Sequence, residues 1–258
     1  MWAVAAVILP TERPRSFVLQ LDGRDQSYVD RDDPSRLAFD YVRRMGDVLD
    51  AVAPPGTPLR VLHIGGAGLT LPRYVATTRP RSSQVVLEPD EALTELVRSR
   101  LPLPRRSGIR VRPVDGRRGL RQLRDASYDV VVLDAYHDGL VPTELLSTGC
   151  FADVARVLAP GGCLLANLAD RAPFPMVRDA LAGLRSVLPT LLVSAEPATL
   201  RGRRPGNVLV VAGAEEVPCA ALVQRASTSA APYRVLHGEQ VASAFGGGHA
   251  THDPAGLS

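Results

Sequence analysis

The chain has 258 residues, of which 45% are hydrophobic, with 30 basic against 27 acidic residues and a net charge of +3. That is enough for one large domain, or one domain with a small appendage, and for a sizeable core. The charge balance is too even to argue for a nucleic-acid partner, and every basic residue is Arg, which excludes chemistry through a Schiff-base or P-loop lysine.

The opening ten residues, MWAVAAVILP, are apolar but have no basic start and are too short to span a bilayer. They read as a strand or a loose terminus, and Trp2 as terminal packing. No other run approaches the length of a membrane-spanning helix, so a soluble, cytoplasmic protein without a membrane partner is expected. Cys150, Cys163 and Cys219 are far apart and odd in number, which fits reduced thiols and no metal site.

Residues 16–20 (SFVLQ) and 26–29 read as short strands joined by a turn at Asp22-Gly23, a hairpin pattern. Residues 34–52 carry Leu37, Tyr41, Val42, Met45, Val48, Leu49 and Val52 at steps of three and four. This is a helical stripe, opened by Asp33-Pro34 and closed by Pro54-Pro55-Gly56. From residue 59 the pattern alternates. Strands are expected at 60–64, 84–87, 109–114, 128–133 and 163–167, and helices at 71–77, 89–99, 117–123, 143–158 and 176–188. Residues 191–195 and 208–212 predict a closing antiparallel pair around a loop rich in Arg, Pro and Gly. Such alternation implies a mainly parallel sheet with helices on both faces, and YDVVVL at 128–133 reads as its most buried strand. The expected divisions are a hairpin-plus-helix region at 1–56, a Rossmann-like domain at 57–240 and a disordered tail at 241–258, whose end, GGGHATHDPAGLS, is poor in apolar residues. His237, His249 and His252 match no metal-ligand spacing.

In such a sheet, ligands bind beyond the carboxyl ends of the strands, near the point where strand order reverses. Four features fall there. Gly65-Gly66-Ala67-Gly68 follows the strand RVLHI and offers amides at a helix start; Leu71 stands where a dinucleotide fingerprint needs its third glycine, so a plain tight turn is also open. Glu88 closes the next strand, placed either to accept both ribose hydroxyls or to cap the following helix. Asp115 is placed to accept from an adenine amine or to serve as an N-cap. Asp134 ends the most buried strand, where a carboxylate is costly without a partner or a task. Tyr136, His137 and Asp138 follow in a loop with Gly139 and Pro142 that can cover the site.

In this order, VLHIGGAG, VVLEPD, VDGRRGL, YDVVVLDAY, VPTELL and RVLAPGGCLLANL, with LDGRDQS before them, resemble the spermidine synthase family, the polyamine aminopropyltransferases, over roughly residues 17–213. The resemblance implies an α/β, Rossmann-like, methyltransferase-type fold: a mainly parallel seven-stranded sheet behind a small β-hairpin region. It implies Gln26, Gly65, Gly66, Gly68, Glu88, Asp115, Gly116, Asp134 and Ala135 around decarboxylated S-adenosylmethionine or S-adenosylmethionine itself. It makes Asp134 the catalytic carboxylate, with Tyr136 and Asp138 toward a small-molecule amine acceptor such as putrescine. His63, two residues before the loop, stands where ordinary methyltransferases carry an acid. The departures lie on the acceptor side. Gly68 stands near the family's loop Asp, Leu37 and Ala38 stand nearest its Tyr-His or Tyr-Gln pair, and His137 stands where it has a second Asp. Its later tyrosine has no counterpart in residues 196–206. Aminopropyl transfer is therefore the expected activity, with methyl transfer and a non-catalytic nucleoside-binding homologue as alternatives. In that family such an N-terminal hairpin often pairs with a partner subunit, so a homodimer is also an expectation.

Overall fold

The structure is a computed structural model and describes residues 5–253; Trp2 and residues 254–258 lie outside the described residues. Strands β1 (Ala6–Pro10), β2 (Ser16–Leu21) and β3 (Arg24–Asp30) form an antiparallel sheet in that order. Asp22 and Gly23 both take positive φ, 47° and 74°, as a two-residue hairpin turn requires. Leu19 and Val29 pack with Leu69, Val86, Leu93 and Val97, which fastens this small sheet to the larger domain.

Helix α1 spans Asp40–Val52, six residues later than the apolar period predicts. The cause is local. The Asp33 carboxylate accepts the Ser35 N–H at 3.2 Å and its carbonyl accepts the Arg36 N–H at 3.0 Å, closing a turn that competes with the helix. Leu37 is still buried with Met45 and Leu49, so the stripe reported burial correctly but not conformation.

The chain then runs β4 (Arg60–Ile64), α2 (Thr70–Thr78), β5 (Ser83–Leu87), α3 (Glu91–Arg100), β6 (Ile109–Arg112), α4 (Gly116–Arg121), β7 (Tyr128–Leu133), a 3-10 turn (Thr143–Leu145), α5 (Thr148–Val157) and β8 (Leu158–Asp170). It ends with α6 (Pro175–Leu184), β9 (Thr190–Ala195), α7 (Pro197–Leu200), β10 (Gly206–Gly213), α8 (Cys219–Thr228), β11 (Arg234–His237) and α9 (Glu239–Phe245). The large sheet has the order β11-β9-β10-β8-β7-β4-β5-β6. It is parallel from β8 to β6, and β10 runs antiparallel to both β8 and β9. The expected seven strands are present, and β11 adds an eighth on the edge of β9; its four residues, RVLH, are too short to show a period. The expected helix at 143–158 divides because Ser147 Oγ accepts the Cys150 N–H at 3.1 Å and caps α5 afresh. Pro160-Gly161-Gly162 lies inside β8, beside the irregularity in its pairing with β7.

Alternate residues of the central strands enter two cores. Leu62, Ile64 and Leu133 pack under Phe151, while Val61, Val130 and Val132 pack under Met45 and Leu49. The tail expected to be disordered from residue 241 is ordered to Asp253. Val241 and Phe245 are 2% and 1% exposed, Phe245 meets Phe174 edge-on at 5.3 Å, and Asp253 pairs with Arg117 at 3.1 Å. Low apolar content did not reveal two buried side chains and an ion pair. Cys150 and Cys163 are buried, Cys219 is half-buried and all three are free. Among the described residues no helix is long and apolar enough to cross a membrane, and no cluster could hold a metal ion.

Arg79 is fully buried and donates to the carbonyls of Leu49, Ala53, Pro54 and Thr57 at 2.8–3.1 Å, closing the carboxyl end of α1. Arg79→Met leaves those oxygens buried and unpaired, so it should cost roughly 3 kcal/mol and lower Tm by about 6–12 °C. An unchanged melting curve would refute the capping role.

Candidate active site

Strands β4 and β7 are neighbours from which the chain departs in opposite directions, and their carboxyl ends carry Gly65 and Asp134. Gly65 has φ +93°, and a Cβ there would lie 2.3 Å from the Asp134 carbonyl oxygen. Only glycine allows this approach. The loop is held from two sides. Glu88 Oε2 accepts the Gly66 N–H at 3.0 Å and the Ala67 N–H at 3.4 Å, and Ser27 Oγ accepts the Gly68 N–H at 3.0 Å. Glu88 Oε1 accepts the Asp90 N–H at 3.1 Å, so Glu88 braces the turn before α3 while its carboxylate borders the cavity. Asp115 Oδ1 caps α4 through the Arg118 N–H at 2.8 Å, as its N-cap reading expects, and the residue lines the same cavity.

Gln26, Gly65, Gly66, Glu88, Asp115, Gly116, Asp134, Ala135 and Tyr136 line one cavity of about 350 Å³. Gly68 stands behind the wall, acting through Ser27, which is on it. Asp138 is not brought in. The bridge between His137 and Leu140, with positive φ at Asp138 and Gly139, turns its side chain outward, where it is 80% exposed. His137, on the same turn and itself 78% exposed, borders the mouth of the cavity.

Asp134 Oδ1 accepts from Asn167 Nδ2 at 2.9 Å. Asn167 Oδ1 accepts from Asn207 Nδ2 at 3.1 Å, and the Asn207 carbonyl accepts from the buried Arg44 at 2.9 Å. Desolvation pushes the Asp134 carboxyl up to about 6, against the pull of the Asn167 bond. The Tyr41 and Tyr136 phenols are raised by burial first and by the Asp134 charge second, so both stay neutral. Tyr136 donates to the Asn167 carbonyl at 2.9 Å and accepts the Ala169 N–H at 3.0 Å. His63, on the floor, is pushed down to about 4 by burial and meets Gln84 Oε1 at 2.9 Å, so it is a neutral spacer between β4 and β5.

Sequence reasoning missed Tyr41, Ser27 and Asn167 as site residues. Tyr41 was visible only as a member of the α1 stripe. The structure puts it on the cavity wall, near the start of α1 and four residues after the buried Leu37. Asn167 carried the signal of a polar residue in an apolar strand, in CLLANL.

No protein-family model matches the chain. A probable spermidine synthase from Corynebacterium glutamicum superposes with a TM-score of 0.90 at 25% identity, covering 98% of this chain and 94% of that one. The polyamine aminopropyltransferase of Vibrio vulnificus is 27% identical over 156 residues, 59% of this chain and 51% of the relative. A probable polyamine aminopropyl transferase of Bifidobacterium longum is 29% identical over 133 residues, 52% of this chain and 28% of the relative. The chain thus matches about half or less of the length of these curated relatives. Strand order and the glycine-loop cavity define a Rossmann-like protein of the methyltransferase type. Within that class the chain is similar to spermidine synthases and polyamine aminopropyltransferases.

Proposed function

We propose that the chain is an aminopropyltransferase that takes decarboxylated S-adenosylmethionine as donor and a small-molecule amine as acceptor. The observation that carries the reading is Asp134: a desolvated carboxylate, held from behind by Asn167, beside a glycine loop that Glu88 already braces. The donor set suits a nucleoside. Glu88 keeps lone pairs for the ribose hydroxyls, and Asp115 Oδ2 is available to the adenine amine. Gln26, Gly66, Gly116 and Ala135 complete the walls around it.

Asp134 accepts an N–H of the acceptor amine and aims its lone pair at the carbon attached to the sulfonium. A C–N bond forms as the C–S bond breaks, the sulfur leaves as a neutral thioether, and the amine's proton passes to Asp134 and then to solvent. The sulfonium is already an activated leaving group, so positioning supplies most of the rate. Asn167→Leu should remove a bond that favours the ionised carboxylate. The acid limb of kcat should then move to higher pH and kcat should fall about tenfold, with nucleoside affinity kept. An unmoved limb would show that Asn167 does not position Asp134.

Calorimetry with decarboxylated S-adenosylmethionine, S-adenosylmethionine and methylthioadenosine tests the reading. Tighter binding of the decarboxylated donor supports aminopropyl transfer. Preference for the carboxylated form replaces it with methyl transfer. Binding of none removes the nucleoside site.

A further inference from the structure

A second cavity, of about 520 Å³, opens between the small sheet, α2 and the segment that joins α3 to β6, and it shares no lining residue with the nucleoside cavity. Its wall is unlike the rest of a chain in which 27 acidic residues nearly match 30 basic ones. Arg15 reaches it from the turn before β2, Arg31 from just after β3, Arg73 from α2, and Arg105 and Arg106 from the joining segment, while among the described residues no Asp or Glu lines it. The sequence PLPRRSG explains the last two. The Ser107 N–H donates to the Pro104 carbonyl at 3.2 Å and Arg106 takes a φ of 60°, closing a turn that sets both arginines on the cavity wall.

The acids that precede α1 are committed elsewhere. Asp30 pairs with Arg13 at 2.6 Å and accepts the Asp32 and Asp33 N–H groups, Asp33 accepts from Ser35, and Asp32 pairs with Arg15 at 2.6 Å. Arg73 is 6% exposed, and its guanidinium donates to the Gly68 and Pro102 carbonyls at 3.4 and 3.3 Å and to that of Leu101, none of them charged. Burial first, and the like charge of Arg31 second, push it down to about 10. Arg31, Arg105 and Arg106 form no ion pair among the described residues.

Asp32 thus offsets one of five positive charges. A phosphoryl group carries about 1.5 to 2 negative charges at neutral pH, so one such group would leave about half of the remainder unmatched, and two or three would match it. Guanidinium forks meet phosphoryl oxygens two at a time. Like charges gathered around a concavity repel one another, and a multivalent anion removes that cost. We infer that this cavity is a binding site for an oligophosphate chain of two or three phosphoryl groups, separate from the transfer reaction. Arg31, Arg105 and Arg106 grip the phosphoryl oxygens. Arg73 adds charge from beneath while its donors fix the carbonyls of Leu101 and Pro102.

Inorganic triphosphate is the probe. Calorimetry on the full chain, with methylthioadenosine present to fill the nucleoside cavity, should show one saturable site that binds triphosphate at least about tenfold tighter than sulfate. Arg31→Gln and Arg105→Gln, at exposed side chains without an ion pair, should each weaken binding about fivefold to tenfold with Tm unchanged. Arg203→Gln, which removes the same charge from the exposed loop between α7 and β10, should leave it unaltered. Adenosine triphosphate bound as tightly as triphosphate assigns the site to the phosphoryl chain alone; a gain of about tenfold from the nucleoside assigns it to a nucleotide, with its base on the apolar wall at Leu103 and Pro104. No saturable binding of triphosphate, binding no tighter than that of sulfate, or equal weakening by all three variants overturns the inference and leaves the transfer reading untouched.

Discussion

Asp134→Asn should lower kcat by about three orders of magnitude and leave methylthioadenosine affinity within about twofold. The substitution keeps shape and volume, and the Asn167 bond can be kept by the new amide oxygen. What is lost is the anion that holds and deprotonates the amine. The pH behaviour carries the signature. Because burial raises the Asp134 carboxyl to about 6, activity of the unaltered protein should fall as pH drops through that value. Stability runs the other way. A carboxyl whose folded-state pKa lies above its unfolded value binds its proton more tightly when folded, so ionisation destabilises the fold as pH rises through about 6. Asp134→Asn should therefore raise Tm at pH 8 and change it little only at or below the unfolded carboxyl's value of about 3.9. Equal loss of turnover and nucleoside binding, or a lower Tm at pH 8, would assign Asp134 a structural role instead.

Gly65→Ala should be the most damaging change of a single methyl group. The new Cβ would sit 2.3 Å from the Asp134 carbonyl oxygen and 2.9 Å from the Ala135 Cα, at a φ of +93°. The clashing atoms are backbone on two central strand ends, so relief means opening the seam between β4 and β7. Left-handed strain and overpacking together should cost roughly 4 kcal/mol, or about 8–16 °C in Tm. Nucleoside affinity should fall at least about thirtyfold, since the displaced loop carries the amides and moves Asp134 with it. Gly23→Ala separates the two causes. Its φ is +74° but nothing lies within 4 Å of the new Cβ, so only the conformational cost of about 1 kcal/mol should appear. Comparable losses at both positions would show that crowding at Gly65 is unimportant.

The strand ends were the most legible part of the chain. RVLHI, QVVL and YDVVVL are apolar runs followed at once by Gly65, Glu88 and Asp134, and in a parallel sheet that pattern converges on one place. What sequence reasoning lost was decided by local geometry. Asp33 delays α1 through its own turn, which an apolar period cannot report. Tyr41 satisfies the helical stripe and also faces the cavity, so periodicity made it look like ordinary core. Asp138 and His137 share one exposed turn with positive φ at Asp138 and Gly139, a reversal that neither composition nor period reports. The C-terminal segment shows the limit of composition as a guide. Its order rests on Arg117, more than a hundred residues away in the chain.

Glu88 holds the amides of Gly66 and Ala67 through the protein's own hydrogen bonds, so the loop's shape does not depend on a ligand to supply them. Association then resembles a key entering a lock already cut. Little chain entropy is surrendered on docking, amide protection in residues 65–68 should change only slightly between free and bound forms, and the speed of capture should depend on how fast the donor diffuses in.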